Sequence, residues 1–448
     1  MLLNDPCQAA TFRFVGCSFD ASSGEAQLRY AFDDGAELIE RIVFPEAPTL
    51  DPARRAAFDA ALKLLHLIAG VSYFKAGVPA QIRVEKYAID RDTADLLDEL
   101  YLQGLGEFAY QNKLDLRGKI RFPVGAENAT AAVSCGLPRR SLVPIGGGKD
   151  SLVSVELLKK IGEPATAVWV GNSALIAACA QATGLPMLNI QRQIAPELFE
   201  LNRQGAWNGH IPVTAINSAI LVVAAILYGF DAIAFSNEHS ASSATLEYDG
   251  QAINHQWSKS FTFERRLHTY LQSHVAADLD YFSLLRPLSE LAVTKRFAHL
   301  TQYHALFSSC NRNFRILGTR PADRWCGQCP KCHFVFLALA PFCTKPQLVQ
   351  IFGRNLLDDE SQTAGFDALL EYRHHKPFEC VGEGRESRAA MYTLSQRAEW
   401  REDAIVQRFT HEILPQLDVT ALALAPLLQP AAEHLLPARL TAVLDASG

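Results

Sequence analysis

The sequence has no excess of basic charge: its 42 Lys and Arg are outnumbered by 48 Asp and Glu, a formal net charge of −6. A protein with nucleic acid as its obligatory partner ordinarily carries the opposite imbalance, so that class is set aside and a small-molecule partner is expected. An uninterrupted apolar run of bilayer length is also missing. The most apolar segment, AINSAILVVAAILYGFDAIAF at residues 215–235, is broken by Asn217, Ser218, Gly229 and Asp231, which suits a buried helix followed by a strand. The opening stretch, MLLNDPCQAATFRF, lacks a basic region, an apolar core and a small-residue cleavage site, so a cytoplasmic protein without membrane association is expected. In such a reducing compartment the ten cysteines do not form a disulfide framework.

At 448 residues the chain is long for one core and suits two or three domains. Residues 11–45 alternate apolar and polar positions around the turn-rich DASSGE and DDGA, which predicts a small antiparallel meander. Helical spacing follows from Asp51, with Pro52 in the first turn, then a short strand AQIRVE and a helical stretch TADLLDELYLQGLGEFAYQNKL. Residues 1–135 are read as an N-terminal α+β domain. From there SLVPI, PATAVWVG, PMLNIQRQI and DAIAFSN alternate with helical runs, the pattern of an α/β doubly wound parallel sheet covered on both faces. Ligands of such sheets bind beyond the carboxyl ends of the strands, where GGGKDS, Gly171-Asn172 and SNEHS would lie. The parallel sheet and a cysteine cluster occupy residues 136–345, and residues 346–448 form a mainly helical region to which no chemistry is assigned.

GGGKDS fails two phosphate-loop patterns. The ordinary P-loop needs Ser or Thr after its lysine, and here Asp150 follows Lys149, with Val143 where the first glycine belongs. The dinucleotide fingerprint needs a third glycine where Ser151 stands. What remains is S-G-G-x-D-S between the first strand and first helix, matched from Gly147 to Ser151 with Gly146 replacing the first serine. This loop resembles that of the PP-loop ATP pyrophosphatases. The resemblance implies that Gly146, Gly147, Gly148, Lys149, Asp150 and Ser151 bind ATP, with Gly171 nearby, and that the β and γ phosphates leave together as pyrophosphate. Glycines suit that task because they let backbone N–H groups approach phosphate closely, and the helix N-terminus adds its positive end. A ligand-free glycine turn is the competing reading.

Adenylation with ATP calls for Mg²⁺, an oxygen-seeking ion held by few carboxylates, phosphates and water. Asp150 and Glu238, the latter in SNEHS, are the candidate carboxylates; Asp150 also suits a helix N-cap, and Glu238 a substrate contact. His239, His255, Lys259 and Glu264 are candidates for proton transfer by their location in polar segments downstream of the loop, and a solvated loop is the alternative there. Cys310, Cys326, Cys329 and Cys332 have the spacing of a tetrahedral structural Zn²⁺ site, with iron–sulfur ligation or packed free thiols as alternatives. The other six cysteines, Cys380 among them, are assigned to packing.

GGGKDS, NGHIPVTAINSAILVVAAILYG, FSNEHS, RPLSELAVTKRFA and SSC…WCGQCPKC occur in the order of carboxylate-adenylating enzymes similar to 7-cyano-7-deazaguanine synthase, over residues 138–345. With its added N- and C-terminal parts, the whole chain resembles the ATP-dependent epimerases of bacterial cell-wall synthesis that act on UDP-N-acetyl-α-D-muramoyl-L-alanyl-L-glutamate. That resemblance implies adenylation of the terminal glutamate α-carboxylate, inversion at Cα and release of AMP. Esterification removes the carboxylate charge that would otherwise oppose a carbanion at Cα, so a protein base can take the α-proton. Competing classes are a nitrogen-transferring PP-loop ligase, a tRNA sulfur transferase, and a nucleotide sensor without catalysis. Leu2 leaves no N-terminal glutaminase cysteine for the first, and the acidic balance opposes the second.

Overall fold

The computed structural model describes residues 5–125, 131–314, 321 and 323–445. The first four residues of the opening stretch read above, and part of the connection between Cys310 and Cys326, lie outside them. Eleven strands are described: β1 (Thr11–Asp20), β2 (Glu25–Phe32), β3 (Leu38–Val43), β4 (Gln81–Val84), β5 (Ser141–Pro144), β6 (Ala165–Val170), β7 (Met187–Gln193), β8 (Ala232–Phe235), β9 (Leu246–Tyr248), β10 (Gln251–Ile253) and β11 (Asp280–Ser283). Nine of them form one sheet in the order β11-β8-β5-β6-β7-β3-β2-β1-β4, and β9 pairs with β10 as a separate ribbon.

The strands from β5 onward that join this sheet are parallel, in the spatial order β7-β6-β5-β8-β11. The chain winds outward from β5 through β6 to β7, then returns to the other side for β8 and β11. Its direction of winding therefore reverses between β5 and β8, and a crevice opens there at the strands' carboxyl ends. The fifth strand of this set, β11, comes from DYFS, a short buried run that the alternating pattern above did not separate from its surroundings.

The predicted meander is present as antiparallel β1, β2 and β3, and AQIRVE supplies β4, parallel to β1. Its attachment was not foreseen: β3 pairs antiparallel with β7, so the meander continues the parallel sheet. Buried Glu40 on β3 meets Arg192 on β7, Nε to Oε1 2.7 Å, next to the registered pair Ile42 and Arg192. One charge facing the other across the joint penalises any slip that would strand Glu40 without a partner.

The apolar run at residues 215–235 resolves into the Val213–Tyr228 helix, stopped by Gly229 in the left-handed region at φ 77°, and then β8. This helix is apolar on nearly all sides because it is enclosed, packing against the Arg55–Ala69 helix. Pro52 heads a short 3-10 turn capped by the Asp51 carboxylate, and the α-helix proper begins at Arg55. The helical run Pro52–Phe74 is long and apolar enough to cross a membrane by length and composition, but 83% of its most apolar window is buried inside the protein. On the other face of the sheet the Pro330–Leu339 helix is buried over most of its length and receives the C-terminal helices, with fully buried Trp400 packed edge-on to Phe336. Covering is uneven: β7 is mostly half-exposed, with Met187 at 51%, so the expectation of a sheet enclosed on both faces fails at this strand.

Candidate active site

The glycine loop joins β5 to the Lys149–Lys160 helix. Gly147 has φ 81°, and a Cβ there would lie 2.6 Å from Leu175 Cδ2; one on Gly148 would lie 2.8 Å from Ser309 Oγ. Gly147 therefore requires glycine for its backbone, while a side chain at Gly148 would have to turn the Ser309 hydroxyl aside. Gly146 opens onto free space. The helix N-cap is Gly148, with no side chain to satisfy the first amides, which leaves these donors for a ligand. Asp150 thus sits inside the first turn and not at the cap. Ser308 N donates to the Gly147 carbonyl at 2.9 Å, so the segment leading to Cys310 clamps the loop from outside.

A cavity of about 340 Å³ opens at the carboxyl ends of β5, β6 and β8, where the winding reverses. Gly146, Gly148, Asp150 and Ser151 line one side, with Ser236 and Asn237 opposite. Trp169 and Phe314 contribute apolar wall, while Lys259, Lys331 and Cys380 bring polar groups. A larger recess, about 450 Å³, lies among Lys63, Tyr87, Tyr270 and His274, away from the strand ends and the glycine loop. The smaller one has the converging polar groups that a reaction needs. Gly171, at φ 97° just past β6, is held by its N–H to the Ile190 carbonyl and by Asn189 Nδ2 on its own carbonyl at 2.8 Å.

Behind Asp150 lies a buried charge cluster. The Lys149 ammonium turns inward between Asp150 Oδ1, at 2.5 Å, and Glu290. Burial opposes its charge, but the two carboxylates outweigh this and raise its pKa. Burial likewise works against the Asp150 carboxylate, and Lys149, Lys331 and Lys259 overcome it, holding Asp150 below the ordinary value. Glu238 is pushed up to about 8, first by burial and then by Glu290, Glu386 and Asp150. Glu238 Oε2 accepts the Ala241 N–H at 3.2 Å, capping the turn that begins with half-buried His239. Carboxylate oxygens such as those of Asp150 and Glu238 are the donor type that suits a hard divalent cation such as Mg²⁺.

Glu264 lies elsewhere. One oxygen accepts Ser283 N at 3.0 Å and the other receives Arg286 Nε and Nη2 at 3.0 and 2.8 Å. Arg286, 1% exposed, also donates to the carbonyls of Glu238 at 2.7 Å and Lys259 at 2.6 Å. Glu264 is thereby committed to orienting the cation that braces two site segments.

His255 and Lys259 converge on Cys380. Lys259 Nζ lies 3.2 Å from Cys380 Sγ, His255 is near enough for its charge to act on the thiol, and Lys331 donates to the Cys380 carbonyl. Burial would raise this thiol, but Lys259, His255 and Lys331 bring it down to about 5. His255 Nδ1 bonds Glu107, whose carboxylate lies 3.7 Å from His210. Burial opposes the His255 charge, and Cys380 and Glu107 together raise it to about 9; burial and the neighbouring His255 lower His210 to about 4.

The four clustered cysteines are brought together with every Sγ within 4.8 Å of the others. Cys329–Cys332, Cys326–Cys332 and Cys329–Cys310 separations are 3.5, 3.7 and 4.0 Å. Sulfurs on one tetrahedral ion with bonds of about 2.3 Å stand about 3.8 Å apart, so the set has room for a single ion. A cluster that binds each cysteine through a different iron needs wider spacing. Trp325, packed on Phe307 and Phe352, anchors this knuckle in the core. Its two ends reach the site, through Ser308 and Ser309 at the glycine loop and through Lys331 in the cavity.

Asp150, Glu238, Lys259 and His255 thus gather in and around the cavity, with Glu264 one step behind them. Lys331, Cys380, Glu290, Glu386, Glu107 and His210 join them without having been singled out from sequence. Glu290 and Glu386 had one local signal: each is an acidic residue within the apolar face of a helix. Isolated Cys380, in a loop far along the chain, had none.

Residues 3–284 match the MurL N-terminal domain and residues 306–424 the MurL C-terminal domain. A protein of Xanthomonas oryzae pv. oryzae named UDP-N-acetyl-alpha-D-muramoyl-L-alanyl-L-glutamate epimerase is 61% identical over 434 residues, covering 97% of this chain and 96% of its own. Proteins of the same name from Salinispora tropica and a Micromonospora species are 42% and 40% identical, covering 88% and 95% of this chain and 87% and 96% of theirs. With matches along almost its whole length, a glycine loop at the sheet's winding reversal and a cysteine knuckle behind it, the chain belongs to the MurL family of UDP-N-acetyl-alpha-D-muramoyl-L-alanyl-L-glutamate epimerases.

Proposed function

We propose that this chain is an isomerase that converts the terminal L-Glu of UDP-N-acetylmuramoyl-L-Ala-L-Glu to D-Glu after adenylating its α-carboxylate with ATP. The observation that carries this reading is the cavity at the winding reversal, where a side-chain-free helix N-terminus and Asp150, backed by buried Lys149 and Glu290, face the same space as Lys259 and Cys380. The fold is then of the PP-loop ATP pyrophosphatase type. Gly146, Gly147, Gly148 and Ser151 would hold the β and γ phosphates, and Trp169 and Phe314 offer an apolar wall for a purine. Asp150 and Glu238 would hold Mg²⁺, which supplies neutralisation of phosphate charge. The cysteine quartet would hold a structural Zn²⁺ that ties the loop clamp and Lys331 to one rigid knuckle.

The residues divide the work by charge. Donors of the loop favour departure of pyrophosphate, so the substrate carboxylate gains AMP and loses its negative charge. With that charge gone, proton removal at Cα leaves an enolate-like intermediate whose oxygen the ammonium groups of Lys259 and Lys331 can stabilise. Return of a proton to the opposite face, then attack by water on the adenylate, gives the D-Glu product and AMP.

Incubation with ATP, Mg²⁺ and UDP-N-acetylmuramoyl-L-Ala-L-Glu in deuterated water tests this. AMP, pyrophosphate and a D-Glu product deuterated at Cα are expected. ADP as the nucleotide product, or conversion without ATP, would sink the mechanism. Asp150→Ala should abolish pyrophosphate release in a protein that still unfolds cooperatively, since Lys149 keeps Glu290 as its partner.

A further inference from the structure

We propose that Cys380, acting as a thiolate, is a proton-transfer residue of the epimerisation, taking the α-proton of one glutamate epimer. The proposal rests on the adenylation reading above and adds to it the identity of a base.

Among the described residues that line the cavity, Asp150 and Cys380 are the two acidic side chains. Asp150 is paired with Lys149 at the glycine loop, where phosphate is expected. Nearby carboxylates outside the lining already have partners: Glu264 has Arg286 and Ser283 N, Glu386 has Ser240 and Leu291 N, Glu290 has Lys149, and Glu238 caps its turn through Ala241 N. Lys259 and Lys331 are cations that stabilise anions but cannot accept a proton.

Cys380 differs from a packed core thiol in its surroundings. Lys259 Nζ is 3.2 Å from Sγ, the charge of nearby His255 acts on it, and Lys331 fixes its own carbonyl. Glu379, the preceding residue, is acidic and also feels the charge of Lys331 and His255. Glu107 pairs with His255 Nδ1, so the imidazolium near the thiol is itself braced by a carboxylate. Positive charge on this scale maintains a thiolate, the form that can take a proton. In the step, the Cα–H bond breaks and an S–H bond forms at Cys380. The electron pair moves onto the adjacent acyl oxygen, beside Lys259. A second acid of the site protonates the other face, and solvent exchange resets both groups.

The test uses full-length Cys380→Ala and Cys380→Ser with two readouts, substrate-dependent pyrophosphate release and exchange of the glutamate α-hydrogen with deuterium. Both variants should release pyrophosphate within about threefold of the parent rate and lose epimerisation by at least about 100-fold, the lower range for removing a group that transfers protons. Epimerisation within fivefold of the parent would overturn the assignment. Loss of pyrophosphate release in step with epimerisation would also overturn it, by making Cys380 part of nucleotide binding. Failure of the adenylation reading is distinguishable because it appears in the parent protein, as exchange without pyrophosphate. Melting temperatures of the two variants check folding, and site-resolved alkylation of the parent provides a measurement without mutation. Labelling of Cys380 by iodoacetamide should persist as pH falls and decline only near pH 5, following its depressed titration. Decline through about pH 8.5, the range of an ordinary thiol, would count against it.

Discussion

Replacing Glu264 by Gln separates a brace from a base. The side chain is 2% exposed and its partner Arg286 1%, so the substitution leaves a buried guanidinium without its counter-charge. Breaking a buried pair from one side costs about 3–5 kcal/mol. Unfolding entropy of about 2.1 cal/mol/K per residue gives about 0.9 kcal/mol/K for 448 residues, so calorimetry should find the melting temperature lowered by about 3–5 °C. Gln can still accept from Ser283 N, and Arg286 keeps its bonds to the carbonyls of Glu238 and Lys259. Epimerisation measured well below the melting range should therefore fall by no more than about tenfold, since each step of 1.4 kcal/mol in the barrier is worth that factor. A variant with an unchanged melting temperature and no α-hydrogen exchange would refute this reasoning and make Glu264 a group that reacts with substrate.

Two further perturbations probe the frame around the cavity. Gly147→Ala forces a side chain into left-handed backbone and against Leu175, which should cost about 1–2 kcal/mol from the backbone alone and weaken ATP binding at least tenfold by calorimetric titration. Retained ATP affinity would mean that the loop does not hold the nucleotide. Stripping metal with a chelator should remove one zinc per chain by elemental analysis, and ATP affinity should fall with it, because the knuckle carries both the Ser308 clamp and Lys331. Full ATP affinity in metal-free protein would separate the knuckle from the site.

The legible parts of this molecule are those encoded locally. GGGKDS, its flanking strand and its helix are adjacent in sequence, and the conformational demand of Gly147 falls within the same few residues. The cysteine spacing was equally visible, since three of the four sulfurs come from one short run. By contrast, the pairing of β3 with β7 joins segments with nothing in common except β periodicity, and either edge could have been left open. The charges around the cavity were harder still. Lys259, Lys331 and Cys380 come from three separate segments, and none has a spacing relation to the others. Glu264 shows the opposite problem: an acidic residue near polar segments has the same sequence appearance whether it meets a substrate or an arginine.

The junction between β3 and β7 also bears on how the protein is made. During synthesis the meander emerges first, and its edge strand waits for a partner about 150 residues downstream, roughly 8–30 s at ordinary elongation rates. Throughout that interval β3 offers open backbone donors and acceptors to any strand on a neighbouring nascent chain. Glu40 points from the middle of this edge toward what will be interior, so a foreign strand that lacks a matching cation would have to bury an unpaired carboxylate. Arg192 arrives with the correct partner. The ion pair that pins the finished sheet thus has its cation on the later strand, and a foreign strand would have to bring one of its own to satisfy Glu40.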